Sequence, residues 1–143
     1  MARTKHLPYY LKPEMVTYKP VKIYFIVCQE TMRVKIGITE KDIGHRLKAL
    51  QTGSPTELKL VSYEIGDKGY EKRLHDNFSK YHRHGEWFYM SDEILDYIVE
   101  KCHYKNSQLV AYMKYRLDTH LISNDFKCAC KECRKTWNVK VSS

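Results

Sequence analysis

Residues 21–38 alternate in a way that leaves few folds open. From Val21 to Cys28, the side chains of Val21, Ile23, Phe25 and Val27 make one wholly apolar face, and Lys22, Tyr24, Ile26 and Cys28 make a mixed one. A period of two is the signature of a strand, because successive side chains leave opposite sides of the sheet. Arg33 to Ile38 repeats it, with Val34, Ile36 and Ile38 toward the core and Arg33, Lys35 and Gly37 opposite. Only Gln29 to Met32 intervene, the length of a hairpin loop. With the turn centred near Glu30–Thr31, Tyr24 lies across from Gly37, and Lys35 is its diagonal neighbour at about 7–8 Å. Gly37 has no side chain, which leaves room for a ligand above the tyrosine ring. A one-residue slip would undo the pairing.

The rest of the chain supplies helices for this hairpin. Residues 42–51 predict a helix with Ile43, Leu47 and Leu50 as its buried stripe. Arg46 falls at the edge of that stripe and looks toward the sheet, whereas His45 and Lys48 look outward. Gly53-Ser54-Pro55 is a turn, and residues 58–65 predict a third strand. A helix over residues 70–81 has Tyr70, Leu74, Phe78 and Tyr81 on its apolar face, with Glu71 at the edge and His75 one turn on. A carboxylate in that position needs a partner or a metal. Gly85-Glu86-Trp87-Phe88 predicts a compact aromatic turn, in which Glu86 pairs with a core arginine and Trp87 joins the core. Ser91 caps a helix to about residue 102, and a last helix spans residues 108–121. The expected fold is α+β, a three-stranded antiparallel sheet flanked by helices.

Charge is unevenly placed. Of the net +8, residues 1–20 carry +3, residues 126–143 carry +4, and the 105 residues between carry +1. A near-neutral middle with two basic ends points to a polyanion held by the flanks. Residues 1–20 hold Pro8, Pro13 and Pro20 among Tyr9, Tyr10 and Tyr18, and read as an extended arm. Five cysteines, an odd number, and no apolar run of signal-peptide or membrane-spanning length argue for a soluble, intracellular protein in cytoplasm or nucleus.

The chemistry-bearing residues are Tyr24, Lys35, Arg46 and Glu71, each on a separate element. Phosphodiester hydrolysis needs a base for water and cations for the developing charge. A glutamate can hold a divalent metal, and an arginine can clamp phosphate. A tyrosine hydroxyl beside a cation gives up its proton more readily. The order and spacing resemble the GIY-YIG nuclease superfamily over about residues 21–98. Ile23-Tyr24-Phe25 stands at the Gly-Ile-Tyr element and Lys35-Ile36-Gly37 at Tyr-Ile-Gly. Arg46 in Gly44-His45-Arg46-Leu47 and Glu71 in Glu71-Lys72-Arg73-Leu74-His75 match the helix arginine and the metal-binding glutamate. Leu50-Gln51-Thr52-Gly53 and Gly85-Glu86-Trp87-Phe88 resemble a branch common in phages, large DNA viruses and fungi, which shares the lysine at the second tyrosine. The family's late asparagine has no clear counterpart; Asn77 and Asn106 fit poorly.

The resemblance implies a metal-dependent DNA endonuclease. Tyr24 would activate water, Glu71 would hold Mg2+ or Mn2+, and Lys35 and Arg46 would neutralise phosphate. His75 joins them as a catalytic candidate, binding phosphate or metal. Lys48 joins Lys35 and Arg46 as a DNA contact. The implied domain plan is an arm over 1–20, a nuclease domain over 21–104 and a helical, Cys-containing extension over 105–143. Two other roles fit the same residues: a DNA-binding module that has lost cutting, and a structural protein of a virus or phage particle, held in a larger assembly. Separately, Cys128, Cys130 and Cys133 place three thiolates within six residues, as a Zn2+ site would. Its fourth ligand would be Cys102, His103 or His120. Lys127, Lys131, Arg134 and Lys135, with Trp137, would make such a knuckle a nucleic-acid contact.

Overall fold

The computed structural model describes residues 21–120 and 128–135. The arm over 1–20, together with Lys127 and Trp137, lies outside the described residues. Strand β1 (Lys22–Cys28) and strand β2 (Arg33–Thr39) form the expected antiparallel hairpin, with Tyr24 opposite Gly37 and Ile26 opposite Lys35. Strand β3 (Leu58–Ile65) flanks β1 on its other side, also antiparallel.

The sheet does not stop at three strands, which corrects the sequence-based expectation. Among the described residues it has six, in the order β4-β5-β2-β1-β3-β6, where β4 is His82–His84, β5 is Trp87–Tyr89 and β6 is Tyr104–Lys105. The three extra strands are two or three residues long, too short for any alternation to register. The predicted aromatic turn is therefore a hairpin, with Gly85 at φ +55 between its strands. Its β5 edge pairs with Arg33, Val34 and Lys35, and the contact ends one residue on, where the Ile36 N–H donates to the Glu86 carbonyl. The rest of β2 is left open on that side.

The period-two pattern sorts the interior into two cores. Ile23, Phe25, Val27, Val34 and Ile36 enter the larger one, on the side covered by α2 (Lys68–Asn77), α3 (Asp92–Lys101) and α4 (Ser107–Thr119). Tyr24, Ile26 and Cys28 enter the smaller one with Ile43 of α1 (Ile43–Thr52), packed by Leu47, Leu50 and Trp87. Each of these four helices begins at a side-chain cap: Asp42, Asp67, Ser91 and Asn106 each accept a backbone N–H three residues on. Asp67 starts α2 two residues earlier than the apolar stripe alone predicts. The helix ends at Asn77, and Ser79–Tyr81 continue as one 3-10 turn. Leu109, Met113 and Leu117 of α4 belong to the larger core, as do Cys128, Ala129 and Cys130. A last short helix, α5, is Lys131–Arg134.

Candidate functional site

The candidate residues stand on both faces at the open stretch of β2: Tyr24 and Arg46 on the α1 side, Glu71 and His75 on the α2 side, with Glu86 linking Lys35 to the second group. Tyr24 points to the α1 face, and its ring lies directly over Gly37. A Cβ on Gly37 would come within 2.3 Å of the tyrosine hydroxyl. The room left by the glycine is thus filled by Tyr24 itself, not by a ligand as the sequence suggested. The tyrosine is fully covered. Arg46, at the edge of the α1 stripe as predicted, donates from Nε to the Tyr24 hydroxyl oxygen at 3.3 Å. This hydrogen bond, first among the causes, raises the guanidinium pKa above its ordinary value. Because the hydroxyl accepts from Arg46, its own proton is left to be given elsewhere. The sequence also offers Glu57 and Glu64 as surface partners for Arg46, and among the described residues neither pairs with it. Buried Glu64 instead accepts hydrogen bonds from Tyr70 and Tyr97.

Glu71 reaches the same region from the first turn of α2, on the sheet's other side. It is buried, and its Oε2 has no hydrogen-bond partner among the described residues. The His75 Nε2 lies 3.8 Å from this oxygen. Burial, then the nearby charge of Glu86, pushes the Glu71 carboxyl above the usual range, with His75 opposing. His75 Nε2 lies 2.8 Å from the Ile36 carbonyl oxygen. A carbonyl only accepts, so Nε2 carries the proton, and a neutral ring keeps its lone pair on Nδ1.

Glu86 is the site residue that sequence reasoning missed. The sequence pairs it with a core arginine. Its carboxylate instead pairs with Lys35 Nζ at 3.1 Å, while its carbonyl accepts from Ile36 N–H at 3.0 Å. Each of Glu71, His75 and Glu86 offers a ligand atom, and these atoms lie within 4.8 Å of one another. They share a shallow, open hollow with Lys68 and Lys72. The signal was present as the Gly85-Glu86 turn, but only the pairing of β5 with β2 shows that this turn ends beside Lys35. Lys35 also sits over the Trp87 ring, 5.8 Å from its centre. Trp87 itself is half-buried, packed against the smaller core.

The remaining candidates divide. Lys48 is exposed on α1. At the C-terminal end, Lys131 and Lys135 are exposed, but Lys135 pairs with Glu132 at 2.8 Å and Arg134 with Asp92 at 2.5 Å. Cys128, Cys130, Cys133 and His120 form a second group whose ligand atoms lie within 4.8 Å of one another and could hold a metal ion. No helix among the described residues is long and apolar enough to cross a membrane.

The model of one protein family, the T5orf172 domain, matches residues 22–103. The chain belongs to this family. The matched span of the T5orf172 domain contains every residue of the β2-edge site and neither His120 nor the three clustered cysteines. Membership is consistent with a nucleic-acid-related function, nuclease activity among them. No curated protein and no solved structure matches the chain.

Proposed function

We propose that this T5orf172 domain is a metal-dependent DNA endonuclease of GIY-YIG type. The observation that carries the reading is the orphaned, buried Oε2 of Glu71, facing His75 and Glu86 at the open edge of β2. An unpartnered buried carboxylate oxygen is expensive unless a cation completes it. Oxygen donors of this kind suit Mg2+ or Mn2+. Glu71 and Glu86 would hold the ion, and His75, whose Nε2 proton goes to the Ile36 carbonyl, would stand beside them as a positioning group.

Such an ion would supply charge neutralisation at the scissile phosphate. The protein groups do the rest. Lys35 and Arg46 bind non-bridging phosphate oxygens, the arginine with its planar fork. On doing so Arg46 turns away from Tyr24 and uncovers the hydroxyl. The uncovered hydroxyl gives its proton to solvent; the phenolate then takes a proton from water as the water oxygen attacks phosphorus, and the sugar oxygen takes up a proton from solvent as its bond to phosphorus breaks. His75, held by the Ile36 carbonyl, keeps α2 and Glu71 against the β2 edge.

The test is incubation of the full chain with plasmid, branched and single-stranded DNA in Mn2+. Cutting of one of these by wild type, reduced by about 10²-fold or more in Glu71→Ala, is expected. No cutting of any substrate, or equal cutting by Glu71→Ala, rejects the reading. A second reading is a DNA-binding module without cutting, favoured by the complete burial of Tyr24 and by the Lys35–Glu86 pair. Salt-sensitive binding with no cleavage in either metal would select it.

A further inference from the structure

Outside the β2-edge site the chain builds a second cluster with a different donor set. Around the Nδ1 of His120 stand three sulfurs: Cys128 Sγ at 3.7 Å, Cys130 Sγ at 3.2 Å and Cys133 Sγ at 3.4 Å. One ring nitrogen has a single proton or a single lone pair, so it can satisfy one sulfur and not three. A cation at the centre satisfies all four. Zinc–sulfur bonds of about 2.3 Å and a zinc–nitrogen bond of about 2.0–2.1 Å, set tetrahedrally, put sulfur and nitrogen about 3.5–3.6 Å apart. The three observed separations bracket that edge length.

The backbone is bent to make this arrangement. His120 ends α4 in the left-handed region, at φ +54 and ψ 34, and its N–H bonds the Arg116 carbonyl. It is one of two non-glycine residues with positive φ among those described. That conformation is unfavourable for a residue with a Cβ and persists where the surroundings hold it. Cys130 caps α5, and its sulfur accepts the Cys133 N–H at 3.3 Å. Such a donor supports a thiolate that ligates a metal. The two other residues that the sequence offered as fourth ligand are engaged elsewhere. The His103 Nδ1 accepts from Ile65 N–H. Cys102 is a core thiol, pushed up to about 11 by burial.

We propose that His120, Cys128, Cys130 and Cys133 form a closed, structural Zn2+ site that fastens the C-terminal segment to the T5orf172 fold. All four positions are filled by the protein, so no place remains for water or substrate, and the site is not hydrolytic. The segment it fastens is docked on the body at three further points. Ala129 bridges Ser91 in parallel. Arg134 bonds both Asp92 and the Ala129 carbonyl. The Arg134 guanidinium also lies 5.2 Å from the centre of the Tyr81 ring. The ion thus joins the end of α4, one side of the larger core, to a loop seated at the start of α3.

The test uses the full chain, purified with reduced thiols, and the metal alone as probe. About one zinc per chain is expected, and Co2+ in its place should give the intense visible bands of tetrahedral thiolate coordination. His120→Gln should weaken zinc binding by at least about tenfold and alter the cobalt bands. Cys102→Ser and His103→Gln should leave both unchanged. Removing zinc with a chelator should expose Cys128, Cys130 and Cys133 to alkylation, while Cys28 and Cys102 stay protected and circular dichroism keeps the signal of the folded body. A wild-type chain that takes up no zinc and shows no cobalt–thiolate bands overturns the proposal. So does a spectrum that survives His120→Gln but is lost in Cys102→Ser or His103→Gln. Glu71→Ala should hold zinc as wild type does, so this site and the nuclease reading fail independently.

Discussion

At the scale of single residues, Tyr24, Gly37 and Arg46 form one unit in which each constrains the next. Gly37 is required by contact: a Cβ there would lie 2.3 Å from the Tyr24 hydroxyl oxygen and 2.4 Å from Cζ. The tyrosine is fully buried and stands on a central strand, so it has little room to retreat. Gly37→Ala should therefore destabilise the protein by about 1–3 kcal/mol, the range for overpacking, as measured by urea denaturation. It should also break the Arg46 hydrogen bond and abolish cutting. Tyr24→Phe separates the two effects. The ring and its packing stay, and the lost hydrogen bond costs about 1 kcal/mol. Cutting should nonetheless fall by about 10²-fold or more, because the proposed proton acceptor is gone. A Tyr24→Phe protein that cuts normally would remove the tyrosine from the mechanism.

Elements differ in how far the sequence betrays them, and the difference follows length and partnering. β1, β2 and β3 are seven or eight residues long, so their alternation is visible and even the Tyr24–Gly37 register follows from the loop centre. Arg46 and Glu71 could be placed because helical wheels set them at the edges of buried stripes. Glu86 could not, since its role depends on a three-residue strand pairing across more than 50 positions with Lys35. The choice of His120 over Cys102 and His103 likewise depends on how α4 ends. The β4–β5 hairpin that carries Glu86 turns on Gly85, whose Cβ position is open but whose φ is +55. Gly85→Ala should cost about 1–2 kcal/mol from backbone conformation alone, and Gly85→Asn less. Both should be read by urea melts, with cutting reduced only where Glu86 is displaced. A pH effect belongs to the contact between the 3-10 turn and α3. Glu93 accepts from Tyr81 and pairs with Lys80 at 3.0 Å. The Tyr81 hydrogen bond, above all, holds the Glu93 carboxyl below its ordinary value. A lowered folded pKa stabilises above the unfolded value, about 4.5, and that contribution fades as pH falls through the folded one. Glu93→Gln should lower stability at pH 7 by about 1 kcal/mol or less, given its exposure, and by progressively less below pH 4.5.

On the scale of the whole molecule, charge decides how a polyanion would be held. The formal +4 of residues 126–143 overstates what that end can offer. Arg134 is committed to Asp92 and Lys135 to Glu132. Lys131 is exposed and makes no ion pair among the described residues. Residues 1–20 add Arg3, Lys5, Lys12 and Lys19 against Glu14 alone. Each phosphate neutralised contributes about −0.9 to the slope of log affinity against log salt. Deleting residues 1–20 should therefore make that slope shallower by up to about 3–4 units, whereas Lys131→Ala should change it by about 1. Arg134→Ala should leave the slope nearly unchanged and instead loosen the docked C-terminal segment, seen as faster alkylation of its cysteines. The readout is DNA affinity by fluorescence anisotropy at several salt concentrations, in the absence of divalent metal so that cutting does not intervene. If deleting the arm leaves the slope intact, the backbone contacts lie on the domain face around Lys35, Arg46 and Lys48. The near-neutral middle of the chain would then hold its polyanion through these few placed cations, not through its ends.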